Sequence, residues 1–233
     1  MTWTMTLAAS DVPSKSLLEY IAAGGPIGAI IIVLSLAAVA LVVTQVLRVR
    51  LATLAPADAV DALDKSLSTG DVRAAETFCE DPAHASFLTR VVGSALLRCG
   101  RSPFGFLELR TALEEAGQRE TARLYRFTDA IGLIASVAPM LGLLGTVVGM
   151  VGAFDTITLT DGPARPDQLA GNISVALVTT VLGLIVAIPC TAAYTFLRNR
   201  IDALTSEIAE IIEDLAAHLE GNAAPAAGKA PRA

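Results

Sequence analysis

Three stretches of this chain, residues 27–47, 131–154 and 173–197, contain no Asp, Glu, Lys, Arg or His. Each reaches the ~20 residues that a helix needs to cross a hydrocarbon core about 30 Å thick. Burial inside a soluble protein is the competing reading, but 233 residues leave too little chain to cover three such blocks. Composition agrees: 53% of residues are hydrophobic, 17% are charged, and the mean hydropathy is +0.59. The expected fold class is therefore all-α, an integral membrane protein with three transmembrane helices and long cytoplasmic helical extensions.

A cleaved signal peptide fits the first block poorly, because such a peptide has a basic segment before its apolar run. Asp11, Lys15 and Glu19 precede the block, and Arg48 and Arg50 follow it. Arg119, Arg123 and Arg126 precede the second block, and Arg198 and Arg200 follow the third. The segment between the second and third blocks has Arg165 against Asp155, Asp161 and Asp167. Arginine concentrates on the cytoplasmic side of membrane proteins. The expected placement is a bacterial inner membrane, with the N-terminus periplasmic and the C-terminus cytoplasmic.

The organisation follows. Residues 1–25 are a periplasmic tail with a short amphipathic helix around Ser16 and Ile21, and 26–47 is the first span. Residues 48–130 form a cytoplasmic helical domain in which Gly70 and Asp71 close one helix and cap the next, and Gly100 ends another. The helix beginning near Phe106 is expected to run unbroken into the second span, 131–154. A periplasmic loop at 155–172 leads to the third span, 173–197, and a cytoplasmic helix at 198–220. In that helix Ile201, Leu204, Ile208, Ile211, Leu215 and Leu219 recur every three or four residues. Such a stripe suits packing on the chain's own cytoplasmic domain or a seam between subunits equally well. Residues 221–233 are mostly Ala, Pro and Gly and are expected to be disordered.

Net charge is −6, which argues against nucleic acid as a partner. Cys79, Cys99 and Cys190 lack CxxC spacing, so neither a disulfide framework nor a metal site is expected, and no cofactor beyond transported protons. Intramembrane hydrolysis needs a Ser–His pair, paired acids or a metal within the bilayer. The only histidines, His84 and His218, lie outside the three blocks, so the chain is read as non-enzymatic.

The informative residues are small or carry hydroxyls. In the second span Ala138, Gly142, Gly145, Gly149 and Gly152 recur every three or four residues, a face on which another backbone can lie closely. The third span has a matching series of Ala176, Thr180, Gly183, Ala187 and Thr191. Pro139 and Pro189 interrupt the backbone bonding of these spans and are candidate hinges. Thr146 shares the glycine face, and Thr179 and Thr180 spread hydroxyls over the third span near Ser174. A membrane hydroxyl ordinarily bonds a carbonyl of its own helix; together these four are candidates for a polar track.

Residues 138–150, APMLGLLGTVVGM, followed by Phe154, resemble the second-span signature of the MotA/TolQ/ExbB proton-channel family. Residues 176–189, ALVTTVLGLIVAIP, resemble its third-span motif, and Gly24, Gly25 and Pro26 are similar to the ExbB/TolQ start. Three spans match ExbB and TolQ and differ from the four of MotA. The resemblance implies a homopentamer around the single spans of an ExbD/TolR-like partner dimer. Proton flow would then do mechanical work on a TonB/TolA-like envelope protein. Thr146 and Thr180 fall where the family places pore-facing threonines. One departure stands out: Val175 occupies a position where ExbB and TolQ usually carry glutamate, so either a diverged partner supplies the titratable acid or the chain no longer conducts protons as those proteins do. A non-conducting membrane scaffold of the same fold is the alternative, and a self-contained channel is disfavoured because no span carries a charge.

Overall fold

The computed structural model of the chain describes residues 25–101, 108–158 and 166–223. Expectations for the N-terminal tail, its amphipathic helix and the tail beyond Ala223 lie outside these residues. The described chain is helical: α1 (Gly25–Arg48), α2 (Leu51–Leu54), α3 (Ala57–Ser68), α4 (Val72–Glu80), a 3-10 turn (Pro82–His84), α5 (Phe87–Arg101), α6 (Leu109–Thr158) and α7 (Pro166–Ala223). Among them α1, α6 and α7 are long and apolar enough to cross a membrane.

Local signals explain where the short helices begin. Gly70 takes φ +75°, a left-handed conformation that glycine adopts without penalty, and so ends α3. Asp71 then accepts from the Ala74 N–H at 3.0 Å and opens α4. The Asp81 carboxylate receives the Ala83 N–H at 2.9 Å, with Pro82 in the first helical position. At the start of α5, Ser86 Oγ receives the Thr89 N–H at 3.2 Å while Thr89 Oγ1 receives the Ser86 N–H at 2.8 Å. This is a reciprocal capping box with threonine in place of the usual Glu or Gln.

The long helices differ from expectation at their ends. α6 continues through 155–158, and α7 already begins at Pro166, so the expected loop at 155–172 is helical at both ends. Proline at a helix start costs nothing, since that N–H has no acceptor in any case. Helix α7 also runs past Gly221 to Ala223, so the last residues are not uniformly unstructured. Pro139 and Pro189 sit inside uninterrupted helix.

The chain divides into two compact units. One contains residues up to Ala37 with Ile134–Pro189; the other contains Ala38–Leu133 with residues from Cys190 onward. The second unit has a conventional core. Leu63 and Leu67 of α3, Ala75 of α4, Leu88, Val91 and Leu96 of α5 and Ala112 of α6 are buried in it, together with Ile201 and Ile208 of α7. Removing a large aliphatic side chain of this kind from water contributes about 1.5–3 kcal/mol. Ile201, Leu204, Ile208 and Leu215 of the α7 stripe are thus buried in the chain's own core, with Ile211 half-buried against it. Ile212, not Ile211, takes the buried place at its turn, because 3.6 residues per turn drift against a strict heptad. Around the rim Arg90 meets Glu120 at 2.7 Å, Arg98 meets Glu115, and Arg110 meets Glu213 at 3.5 Å. Such exposed pairs add at most about 1 kcal/mol each.

Helices α4 and α5 approach closely at Gly93, where a Cβ would lie 2.7 Å from the Cβ of Cys79. Burial pushes the Cys79 thiol from its ordinary 9.0 up to about 11, with a smaller push from the Glu76 charge and an opposing hydrogen bond from the Gly93 backbone. Because the folded value lies above the unfolded one, the stabilisation is complete below pH 9 and is lost as pH rises through about 11. At pH 8 the native thiol should alkylate about 100-fold more slowly than an unhindered cysteine, since two pKa units remove that much thiolate. Peptide mapping after iodoacetamide treatment measures this, and an ordinary rate at Cys79 in the folded chain would refute the packing described.

Candidate functional site

In the unit containing Ile134–Pro189, α6 and α7 run antiparallel, and the glycines of one meet the backbone of the other. A Cβ at Gly142 would lie 3.0 Å from Thr180 Cα, and one at Gly183 would lie 2.6 Å from the Ala138 carbonyl oxygen. At Gly145 it would run into the Thr179 side chain at Oγ1, and at Gly149 it would lie 2.6 Å from Ala176 Cβ. Glycine in a helix interior costs about 1 kcal/mol relative to alanine. Here that cost is offset by close backbone contact, the main attraction available to helices surrounded by lipid tails as apolar as their own side chains. Gly152 is looser, with nothing nearer than 3.9 Å.

The hydroxyls divide into two kinds. Thr179, 1% exposed, donates to the Ala176 carbonyl of its own helix at 2.8 Å and fills the space left by Gly145. Thr146, half-buried, donates to the Leu143 carbonyl at 2.6 Å. Thr180 instead reaches across and donates to the Gly142 carbonyl of α6 at 3.1 Å. That carbonyl is also the helical acceptor for the Thr146 N–H, so both threonines converge on one turn of α6. Ser174 is exposed and Ala187 is buried; Pro139 is half-buried and Pro189 exposed.

Sequence reasoning assigned Asn172 to a loop and gave it no role. It lies in α7, where its Nδ2 donates to the Gly152 carbonyl at 3.1 Å and to Thr156 Oγ1 at 3.1 Å. The available signal was an amide one helical turn from Ala176, opposite a glycine of the second span. An amide in apolar surroundings needs partners, and Asn172 finds them on the neighbouring helix.

Chemically, the apolar stretches of this pair of helices offer hydrogen bonds but no proton carrier. Residues 134–154 and 173–189 hold no Asp, Glu, Lys, Arg or His. Hydroxyls do not exchange protons with groups near neutral pH by ionising. Outward from the pair, Leu143, Leu144, Val147, Val148 and Val151 of α6 and Leu177, Val181 and Ile185 of α7 are all exposed. An apolar surface of that extent requires lipid or other protein against it.

Residues 102–210 match the MotA/TolQ/ExbB proton channel family. The chain is 41% identical over 102 residues to a putative ExbB-like biopolymer transport protein of Synechocystis, covering 43% of this chain and 47% of the relative. It is 41% identical over 85 residues to the biopolymer transport protein ExbB of Xanthomonas campestris, covering 36% and 33%. With the Tol-Pal system protein TolQ of Haemophilus influenzae it shares 33% identity over 120 residues, covering 52% and 51%. The chain thus spans about a third to a half of the length of these relatives.

The glycine contacts differ enough to predict opposite signs for one substitution. Gly145→Ala drives a methyl group into Thr179 and should cost about 1–3 kcal/mol, as overpacking does. Gly152→Ala meets only Asn172, at an ordinary van der Waals distance of 3.9 Å, and should be neutral or stabilise by up to about 1 kcal/mol. Thermal unfolding of the two variants in the same detergent decides, and equal effects would show that the α6–α7 approach is not close.

Proposed function

We propose that this chain, which belongs through residues 102–210 to the MotA/TolQ/ExbB proton channel family, is the multi-pass subunit of an ExbB/TolQ-type stator. Copies of it, five on the family pattern, enclose the single spans of an ExbD/TolR-like partner. Protons moving down the membrane potential shift one against the other, and the partner passes force to a TonB/TolA-like envelope protein. The membrane is the bacterial inner membrane, with Gly25 of α1 toward the periplasm and the α7 terminus toward the cytoplasm.

The observation that carries this reading is the convergence of Thr146 and Thr180 on the Gly142 turn, within spans that have no titratable acid or base. A track of hydroxyls conducts protons only past a group that binds and releases them. Val175 stands at the place where the family resemblance leads one to expect glutamate, so that group must come from the partner. Thr146 and Thr180 then line the partner's acid. Thr179 holds the two helices together, and Ser174 sits on the exposed side of the same span. A charge at the bilayer centre costs about 2.5–3.5 kcal/mol on insertion scales, so one kept in a partner's span is kept for function.

Reconstituted alone in liposomes, the chain should show no proton flux. Flux should appear when the single-span protein that co-purifies with it is included, and should vanish when that protein's intramembrane acid is changed to Asn with the complex intact. Thr146→Val with Thr180→Val preserves volume and should lower flux without dispersing the complex. Flux through the chain alone would overturn the reading. An assembled complex that conducts nothing under any condition would favour the scaffold.

A further inference from the structure

Helix α1 touches the rest of its chain along a narrow line. Its buried positions are Gly28, Ile31, Ala38 and Gln45, the last three spaced by sevens. Much of the remaining circumference is exposed, including Val33, Leu36, Val39, Val43 and Leu47. In lipid such an apolar line specifies register weakly, because acyl chains replace lost helix contacts almost in kind.

One buried side chain in α1 is polar. Gln45 is 3% exposed, and its Nε2 donates to the Leu124 carbonyl at 3.0 Å and to Thr128 Oγ1 at 3.1 Å. Thr128 is 0% exposed. The amide can point only this way, because the Leu124 carbonyl accepts and never donates. Both N–H bonds end within one turn of α6. One turn further along α1, the Arg48 guanidinium lies 5.6 Å from the centre of the Phe127 ring. A slip of one helical turn, about 5.4 Å, would carry the amide away from the pair of acceptors that it now holds.

We propose that Gln45 is the register lock of the first span: its paired bonds to Leu124 and Thr128 fix the height and rotation of the Arg48 end of α1 on α6. Apolar contact alone permits several alignments of similar packing, and the amide selects one. Thr128 is the positioning residue that completes the lock, and Arg48 over Phe127 closes it.

Spin–spin distance measurement in lipid nanodiscs tests this, with nitroxide-bearing residues at the exposed positions Val43 and Arg126 and the labelled chain diluted by unlabelled chain. The native chain should give one narrow distance distribution. Gln45→Met keeps the length and bulk of the side chain and removes both donors; it should broaden the distribution at least about two-fold or add a second distance, since interhelical bonds in membranes are worth several-fold in an equilibrium. Thr128→Val should broaden it less, because the Leu124 carbonyl remains, and Thr128→Ser should restore the native width. A native distribution in Gln45→Met would overturn the lock and leave shape as the determinant. Should Gln45→Met not fold, the Thr128 pair decides: equal widths for Val and Ser overturn the proposal.

Discussion

The approach of α6 to α7 across Gly142, Gly145 and Gly149 is the contact on which the remaining geometry of the apolar unit depends. With any larger residue at Gly145 the Thr179 side chain has no space, and with the helices apart Thr180 cannot reach the Gly142 carbonyl. Asn172 would likewise lose the Gly152 carbonyl. Close packing and polar bonds therefore depend on each other. The glycines admit the hydrogen bonds, and the hydrogen bonds give an otherwise featureless apolar contact a single alignment.

The two units of the chain are stabilised by different physics. In the unit holding α3, α4 and α5, large aliphatic side chains leave water, and register is set by a jigsaw of Leu88, Val91, Ile201 and Ile208 with charged pairs at its edge. That mechanism needs water as the alternative. The apolar unit buries few large side chains and exposes many, so removal from water is not its driving force. It relies on small residues, dispersion and a few amide and hydroxyl bonds. The same two helices, α6 and α7, take part in both, which is why neither shows one consistent amphipathic pattern along its length.

Much of this was legible in the amino-acid sequence, because charge-free runs, caps and small-residue spacing each have a local cause. Gly70 and Asp71 end and start helices through their own backbone and side chain, without help from elsewhere. The glycine series in the second span and the Ala176, Thr180 and Gly183 series in the third were visible for the same reason. What escaped was decided by partners distant in the chain. Asn172 reads as a loop residue until Gly152, 20 positions away, is placed against it. Gln45 reads as a polar residue near a span end until Leu124 and Thr128 supply its acceptors. The α7 stripe is equally good as a subunit seam until α5 and α6 are seen to cover it, and Ile212 replaces Ile211 only in three dimensions.

The polar side chains of the spans also bear on the role of the chain within a larger assembly. Gln45, Thr128, Thr179, Thr180 and Asn172 all make bonds within the chain, and the hydroxyls of Thr44 and Thr195 bond carbonyls of their own helices. Each bond fixes a helix relative to a neighbour or to itself. A span surface organised in this way has little freedom to rearrange with every ion that passes, since each rearrangement leaves an amide or hydroxyl unpaired in an apolar medium. A proton binding and leaving a carboxylate changes a full charge each time. If that event occurs on a partner's side chain, the partner responds, and the helices described here hold still around it. On the proposed reading, fixed internal bonding and the absence of a titratable acid or base from the span cores together suit these helices to hold still around a charge that the partner carries.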